Sequence, residues 1–221
     1  NSIKILALDM INKAGSGHPG IVLGAAPILY ALYKEQIDVI PSNPNWINRD
    51  RFVMSAGHGS ALLYSMLYHM GYNIDLEELK HFREISSLTP GHPEVKVTPG
   101  VDVSTGPLGQ GVGMAVGIAL AERYLNAIVN IEDKNSSLID YYTYCLCGDG
   151  DLMEGISYEA LSFASTQNLN KLILLYDKNN VSLDSDTKKT FTEDIEIRFE
   201  ALDFNIINVK NGSDYKEISK A

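Results

Sequence analysis

The chain has 221 residues, 45% hydrophobic and 21% charged, the composition of one globular domain with a sizeable core; collagenous, fibrous and disordered classes are excluded. A formal net charge of −10 argues against a general nucleic-acid or anionic-membrane surface, so a phosphate-bearing ligand would need local donors or a metal. Apolar runs such as Leu172 to Tyr176 fall short of the about 20 residues that span a bilayer, and no charged-then-apolar leader opens the chain, so a cytosolic protein is expected.

Ser2 to Ala14 spaces Ile3, Leu6, Ala7, Met10, Ile11 and Ala14 by three or four residues, which predicts an amphipathic helix ending at Gly15-Ser16-Gly17. A second helix is expected from Ile21 to Tyr33, then a Pro- and Asn-rich loop and a short strand, Phe52-Val53-Met54. Helix resumes from Ala61 to Met70, and Asp75 is placed to cap a further helix. From Gln110 to Ile128 the chain is apolar almost all round and rich in Gly and Ala, which suits a helix buried against other backbones. Strands follow at Tyr142 to Cys147 and Leu172 to Tyr176, with a helix from about Ile156 to Gln167 between them and a last strand at Ile206 to Val209. Cys145 and Cys147, two apart on a buried strand, are expected to face opposite ways and not to bridge, which suits a reducing compartment. Strands alternating with helices predict one α/β domain, a parallel sheet flanked by helices on both faces.

In such sheets ligands bind beyond the carboxyl ends of the strands. Gly148-Asp149-Gly150-Asp151-Leu152-Met153-Glu154-Gly155 leaves one predicted strand as a loop there, and Asp177-Lys178-Asn179-Asn180-Val181 leaves the next. The glycines admit close backbone approach, Asp149 offers a hard carboxylate oxygen, and Asn179 and the Val181 carbonyl can add two more oxygens. That set leaves about half of an octahedral Mg²⁺ shell for phosphate and water. Alone, Gly-Asp-Gly is a weak signal that reads first as a strand-ending turn. Three of the five histidines also lie in Gly-rich turns: Ser16-Gly17-His18-Pro19-Gly20, Ser55-Ala56-Gly57-His58-Gly59 and Thr89-Pro90-Gly91-His92-Pro93-Glu94. Each is a candidate acid, base or donor, the bland alternative being a satisfied loop histidine. His69 and His81, in helical segments, read as structural.

Taken together, these motifs resemble the N-terminal third of the transketolases, a thiamine diphosphate-dependent family, in order and over essentially the whole chain. The stretches that carry the resemblance are Ser16 to Gly20, Trp46 to Val53, Thr89 to Glu94, Ser104 to Gly111 and Gly148 to Gly155. The resemblance implies the thiamine diphosphate-binding fold and reversible transfer of a two-carbon ketol unit between sugar phosphates, as in the pentose phosphate pathway. It matches His18 and His92 to substrate contacts that assist proton transfer, His58 to the cofactor's diphosphate side, and Gly106, Pro107 and Leu108 to thiamine contacts. Asp149, Asn179 and the Val181 carbonyl match ligands of Mg²⁺ (or Ca²⁺ or Mn²⁺), Gly150 and Asn179 also touch the diphosphate, and Glu154 matches an acidic residue at the subunit interface of the cofactor site.

Two positions depart from the commonest form: Ala56, where Asn is frequent, and Asp151, whose charge is expected near the metal. The pyrimidine-binding and C-terminal domains of the family have no counterpart in this sequence, so the expectation is a truncated or split enzyme, silent alone, that completes its site with a pyrimidine-binding domain in a homodimer. Two other readings stand beside it: a non-catalytic cofactor-binding or assembly subunit, and a metal hydrolase liganded by His18, His58 and His92.

Overall fold

The computed structural model describes residues 1–129, 138–179, 181–182, 185–186 and 190–221. Three parallel strands form its central sheet in the order β1 (Arg51–Met54), β2 (Thr143–Gly148), β3 (Leu172–Asp177). Their registers align Met54 with Leu146 and Gly148 with Asp177, so all three strands deliver their carboxyl ends to one edge.

Side-chain alternation splits the sheet into two faces. Phe52, Met54, Tyr144, Leu146 and Leu175 join one core with α1 (Ser2–Ala14), α2 (Pro19–Ala31) and α3 (Ser60–Met70). Val53, Cys145, Cys147, Leu172 and Leu174 join the other with α5 (Gln110–Val129), α7 (Gly155–Thr166) and α8 (Ile195–Ala201). The expected parallel sheet with helices on both faces is therefore present.

Helix ends follow the local chemistry. Gly15 closes α1 in the left-handed conformation (φ 64°), and Asp75 caps α4 (Leu76–Lys80) by accepting from the Glu78 N–H at 2.9 Å. Between α4 and α5, residues 81–109 run without regular structure and are bolted down by side chains. Thr98 donates to the Leu88 carbonyl (2.6 Å), Thr105 to the Met54 carbonyl (2.7 Å), and the buried Asp102 carboxylate pairs with Arg49 while accepting the Phe52 N–H.

Four expectations are corrected. First, Gly148 to Gly155 is not a loop: Asp149–Met153 forms a short helix, α6, because Asp151 reaches back to the Gly148 N–H (3.0 Å) and closes the first turn. Second, Ile206 to Val209 forms no strand. Its first residue Ile206 and the preceding Phe204 pack on the second core, but no ladder partner lies beside the segment among the described residues. Third, α5 is not buried all round. By length and composition it could cross a bilayer, yet it packs one face, with Val112, Ala115, Val116 and Ala119, onto the sheet and α7, and places Glu122 against Lys171 at 2.8 Å. Its other face leaves Leu120, Tyr124 and Ile128 exposed. Fourth, Cys145 and Cys147 share one face, as residues two apart on a strand must; both are buried and free. After β3, a hairpin pairs β4 (Val181–Ser182) with β5 (Ser185–Asp186), and α9 (Tyr215–Lys220) packs on α2.

Candidate active site

The carboxyl edge of the sheet gathers the singled-out residues into two adjoining groups. The first is built from turns. His18 stands at the N-terminus of α2 in extended conformation, held there by Pro19 in the first helical turn and by Gly17 (φ 148°), where a Cβ would lie 2.8 Å from the Ile11 side chain. His58 sits on the 3₁₀ turn Gly57–Gly59 directly after β1, and its ring meets that of His18 edge to face at 5.1 Å. His92 follows from below: a Cβ on Gly106 would stand 3.4 Å from the His92 ring, and one on Gly57 would stand 2.8 Å from the Gly106 amide nitrogen. The His58 turn and the Gly106 turn thus touch through backbone that only glycine allows, while His18 meets His58 ring to ring and His92 lies at contact distance from Gly106.

The His92 turn is fastened to α3 by hydroxyls. Ser60 donates to the Gly91 carbonyl at 2.7 Å, and the Tyr64 phenol lies 3.0 Å from both the Pro90 and the His92 carbonyls. Burial, followed by the charges of Arg83 and His18, holds the His92 imidazole below its ordinary pKa; burial, followed by His18, does the same for His58. Both are therefore neutral rings at neutral pH, able to accept a proton.

The second group lies at the ends of β2 and β3. Asp149, 4% exposed, opens α6, and its carboxylate accepts a hydrogen bond from the Tyr176 phenol. Asp177, at the end of β3, is held above the ordinary carboxylate range by burial and by the facing charge of Asp149. Asn179 donates its amide nitrogen to Asp177 at 3.1 Å, which turns the amide oxygen to the other branch. Val181 begins the hairpin immediately beyond; Asn180 lies outside the described residues. The two groups meet through Leu108, whose methyl would be 3.0 Å from a Cβ on Gly150, and through Gly109 (φ 78°), whose missing Cβ would fall 2.6 Å from that of Glu154. Glu154 itself is exposed between α6 and α7, and Pro107 is exposed beside Gly106.

This donor set suits a hard cation: one buried carboxylate, an amide and a backbone carbonyl, all oxygens. The glycine-lined backbone beside it suits a ligand that needs close approach. The hydrolase reading fares worse, because no group of three or more His, Cys, Asp or Glu able to hold a metal exists among the described residues. A cavity of about 800 Å³ lies at the opposite end of the sheet between Tyr142, Tyr144, Ile173 and Ala221, and none of the candidate residues lines it.

Asp151, whose charge is expected near the metal, is buried between turns, its carboxylate accepting from Ser55, Gly109 and Gly148. Sequence reasoning also passed over Tyr176, Asp177, Ser60 and Tyr64. The first two sit on strand β3, where alternation marks only core and surface, and the hydroxyls of α3 read as helix filler.

The sequence matches the family described as transketolase, thiamine diphosphate binding domain, over residues 1–221. The chain belongs to this family. It is 53% identical to the transketolase of Halalkalibacterium halodurans over 221 residues and 53% identical to that of Bacillus subtilis over 220, covering 100% of this chain and 33% of each relative. Among solved structures, the transketolase of Leishmania mexicana superposes with a TM-score of 0.95 at 48% identity, over 99% of this chain and 32% of that one. Transketolase of Campylobacter jejuni superposes with a TM-score of 0.92 at 51% identity, over 100% of this chain and 34% of that one. The chain therefore spans about a third of the length of the transketolases it matches, and its fold is theirs.

Proposed function

We propose that this transketolase-family chain supplies the diphosphate-binding half of an active site for ketol transfer between sugar phosphates. The observation that carries the reading is the arrival of the turns after β1, β2 and β3, which carry His58, Asp149 and Asn179, at one sheet edge, with His18 and His92 packed beside the first of them. Asp149, Asn179 and the Val181 carbonyl would hold Mg²⁺, with Ca²⁺ or Mn²⁺ as substitutes, and Gly150 and Asn179 would lie against the diphosphate. His58 would meet the diphosphate side, while Gly106, Pro107 and Leu108 would pack on the thiamine. Bound thiamine diphosphate supplies the carbon nucleophile and the electron sink for carbon–carbon cleavage.

The chain's own work is then positioning and proton movement. His18 and His92, exposed and half-buried at the mouth, would orient the substrate's hydroxyls, and the lowered pKa of His92 lets it take a proton near neutrality. Glu154, on the open side, would meet a second subunit, and the pyrimidine-binding domain would come from that partner in a homodimer. A cytosolic location fits the two free cysteines.

Mixing this chain with the remaining domains of a transketolase, Mg²⁺ and thiamine diphosphate is expected to restore transfer from xylulose 5-phosphate to ribose 5-phosphate. A folded mixture that binds cofactor without transfer would instead favour a non-catalytic assembly subunit, the reading that the one-third coverage of the relatives keeps in play.

A further inference from the structure

Asp151 is 1% exposed, and every hydrogen bond to its carboxylate comes from a different turn of the site. One oxygen accepts from the Ser55 hydroxyl at 2.6 Å and from the Gly109 N–H at 2.9 Å; the other accepts from the Gly148 N–H at 3.0 Å. Ser55 lies between β1 and the His58 turn, Gly109 closes the Gly106–Leu108 turn, and Gly148 immediately precedes Asp149. The Asp151 carbonyl in turn accepts from the Ser157 hydroxyl at 2.6 Å, which ties the junction to α7.

None of the three donors is cationic. A carboxylate so deeply buried depends on all of them staying in place, because each lost donor leaves an acceptor oxygen under-bonded in a dry environment. Spreading any one turn is therefore opposed through the same side chain.

We propose that Asp151 is a positioning residue that sets the spacing between the thiamine turn and the turn carrying Asp149, and so the affinity for the metal–diphosphate group. The inference rests on the cofactor reading above. Asparagine is not a conservative replacement here: its amide has one acceptor oxygen, and its nitrogen must face either the Gly148 N–H or the Ser55 and Gly109 donors. Alanine at Ser55 removes one donor and leaves the backbone bonds.

The test is calorimetric titration of thiamine diphosphate with Mg²⁺ into the complete protein carrying this sequence, beside the thermal midpoint of each cofactor-free variant. Asp151→Asn is expected to weaken binding by about 10-fold or more, the scale seen when a partner outside the direct ligand set is lost. Ser55→Ala should cost less, and the double variant no more than Asp151→Asn alone. A purely architectural role would lower the midpoint yet leave the folded fraction with unchanged affinity, and that result, or strict additivity, overturns the proposal. Should Asp151→Asn not fold, Ser55→Ala decides: unchanged affinity overturns, weakened affinity at an unchanged midpoint supports. If the unsubstituted protein takes up no thiamine diphosphate with Mg²⁺, the cofactor reading falls first and takes this inference with it.

Discussion

At the scale of single residues, the site couples one carboxylate to one phenol. Burial and the neighbouring Asp149 push the Tyr176 phenol above its ordinary range, so it stays a donor and holds one carboxylate oxygen in place. Tyr176→Phe keeps the ring and deletes only the hydroxyl. We expect Mg²⁺-dependent cofactor binding to weaken by about 10-fold with little change in the folded core, read by titration with Mg²⁺ or Mn²⁺. His58 and His92 give a pH dependence of known sign. Both bind their proton less tightly folded than unfolded, so below the ordinary histidine value, about 6.5, the unfolded chain takes up more protons and stability falls as pH falls. Denaturant titrations between pH 5 and pH 7 should show that slope, and His58→Gln with His92→Gln should flatten it. Residues of this kind differ in how far sequence reveals them. Asp149, Asn179 and the histidines stand in glycine-rich turns whose composition signals a backbone made to approach something. The partners of Asp151 do not, since two are main-chain N–H groups, one of them 42 positions away, and an amide donor carries no side-chain signature.

At the scale of elements, the core strands and long helices were legible because apolar spacing of two or of three to four residues reports which side is buried. The exceptions are physical. Helix α6 is one turn long and begins Asp-Gly-Asp, too short to show a period. Ile206 to Val209 has the residue types of a strand, but a strand also needs a neighbour for its amides, which pattern alone does not supply. For α5, a Gly- and Ala-rich composition says that something approaches closely without saying on which side. Gly111 is that side: a Cβ there would sit 2.5 Å from the Ser55 Cα, so the helix presses directly on the backbone leaving β1. Gly111→Ala is therefore predicted to destabilise by about 1–3 kcal/mol. Gly117→Ala, with nothing within 4 Å, should stabilise by about 0.5–1 kcal/mol through helix propensity. Equilibrium unfolding of the two variants separates close approach from composition.

At the scale of the whole molecule, α5 joins the site to an open surface. The same helix that braces Ser55 turns Gly117, Leu120, Tyr124 (66% exposed) and Ile128 outward at three- to four-residue intervals, an apolar stripe on a chain of net charge −10. A stripe of this kind favours association. Light scattering after gel filtration is expected to show a mass above that of one chain, reduced by Leu120→Lys with Tyr124→Lys. Ile85→Lys, at an equally apolar but solitary loop position that is 98% exposed, should leave the mass unchanged. A monomer before substitution would remove this face from consideration as the homodimer contact.

The two cysteines of β2 offer a clock for the same edge. Cys145 and Cys147 lie wholly buried on the α5 side, just before Gly148, and burial raises both thiols far above the range in which they ionise. A thiol-specific reagent can reach them only when the helices packed on this face lift from the sheet, so the modification rate counts those openings. If thiamine diphosphate and Mg²⁺ fasten the turns beyond Gly148, labelling should slow in proportion to their occupancy, giving a chemical measure of the resting breathing of the cradle in the unsubstituted protein.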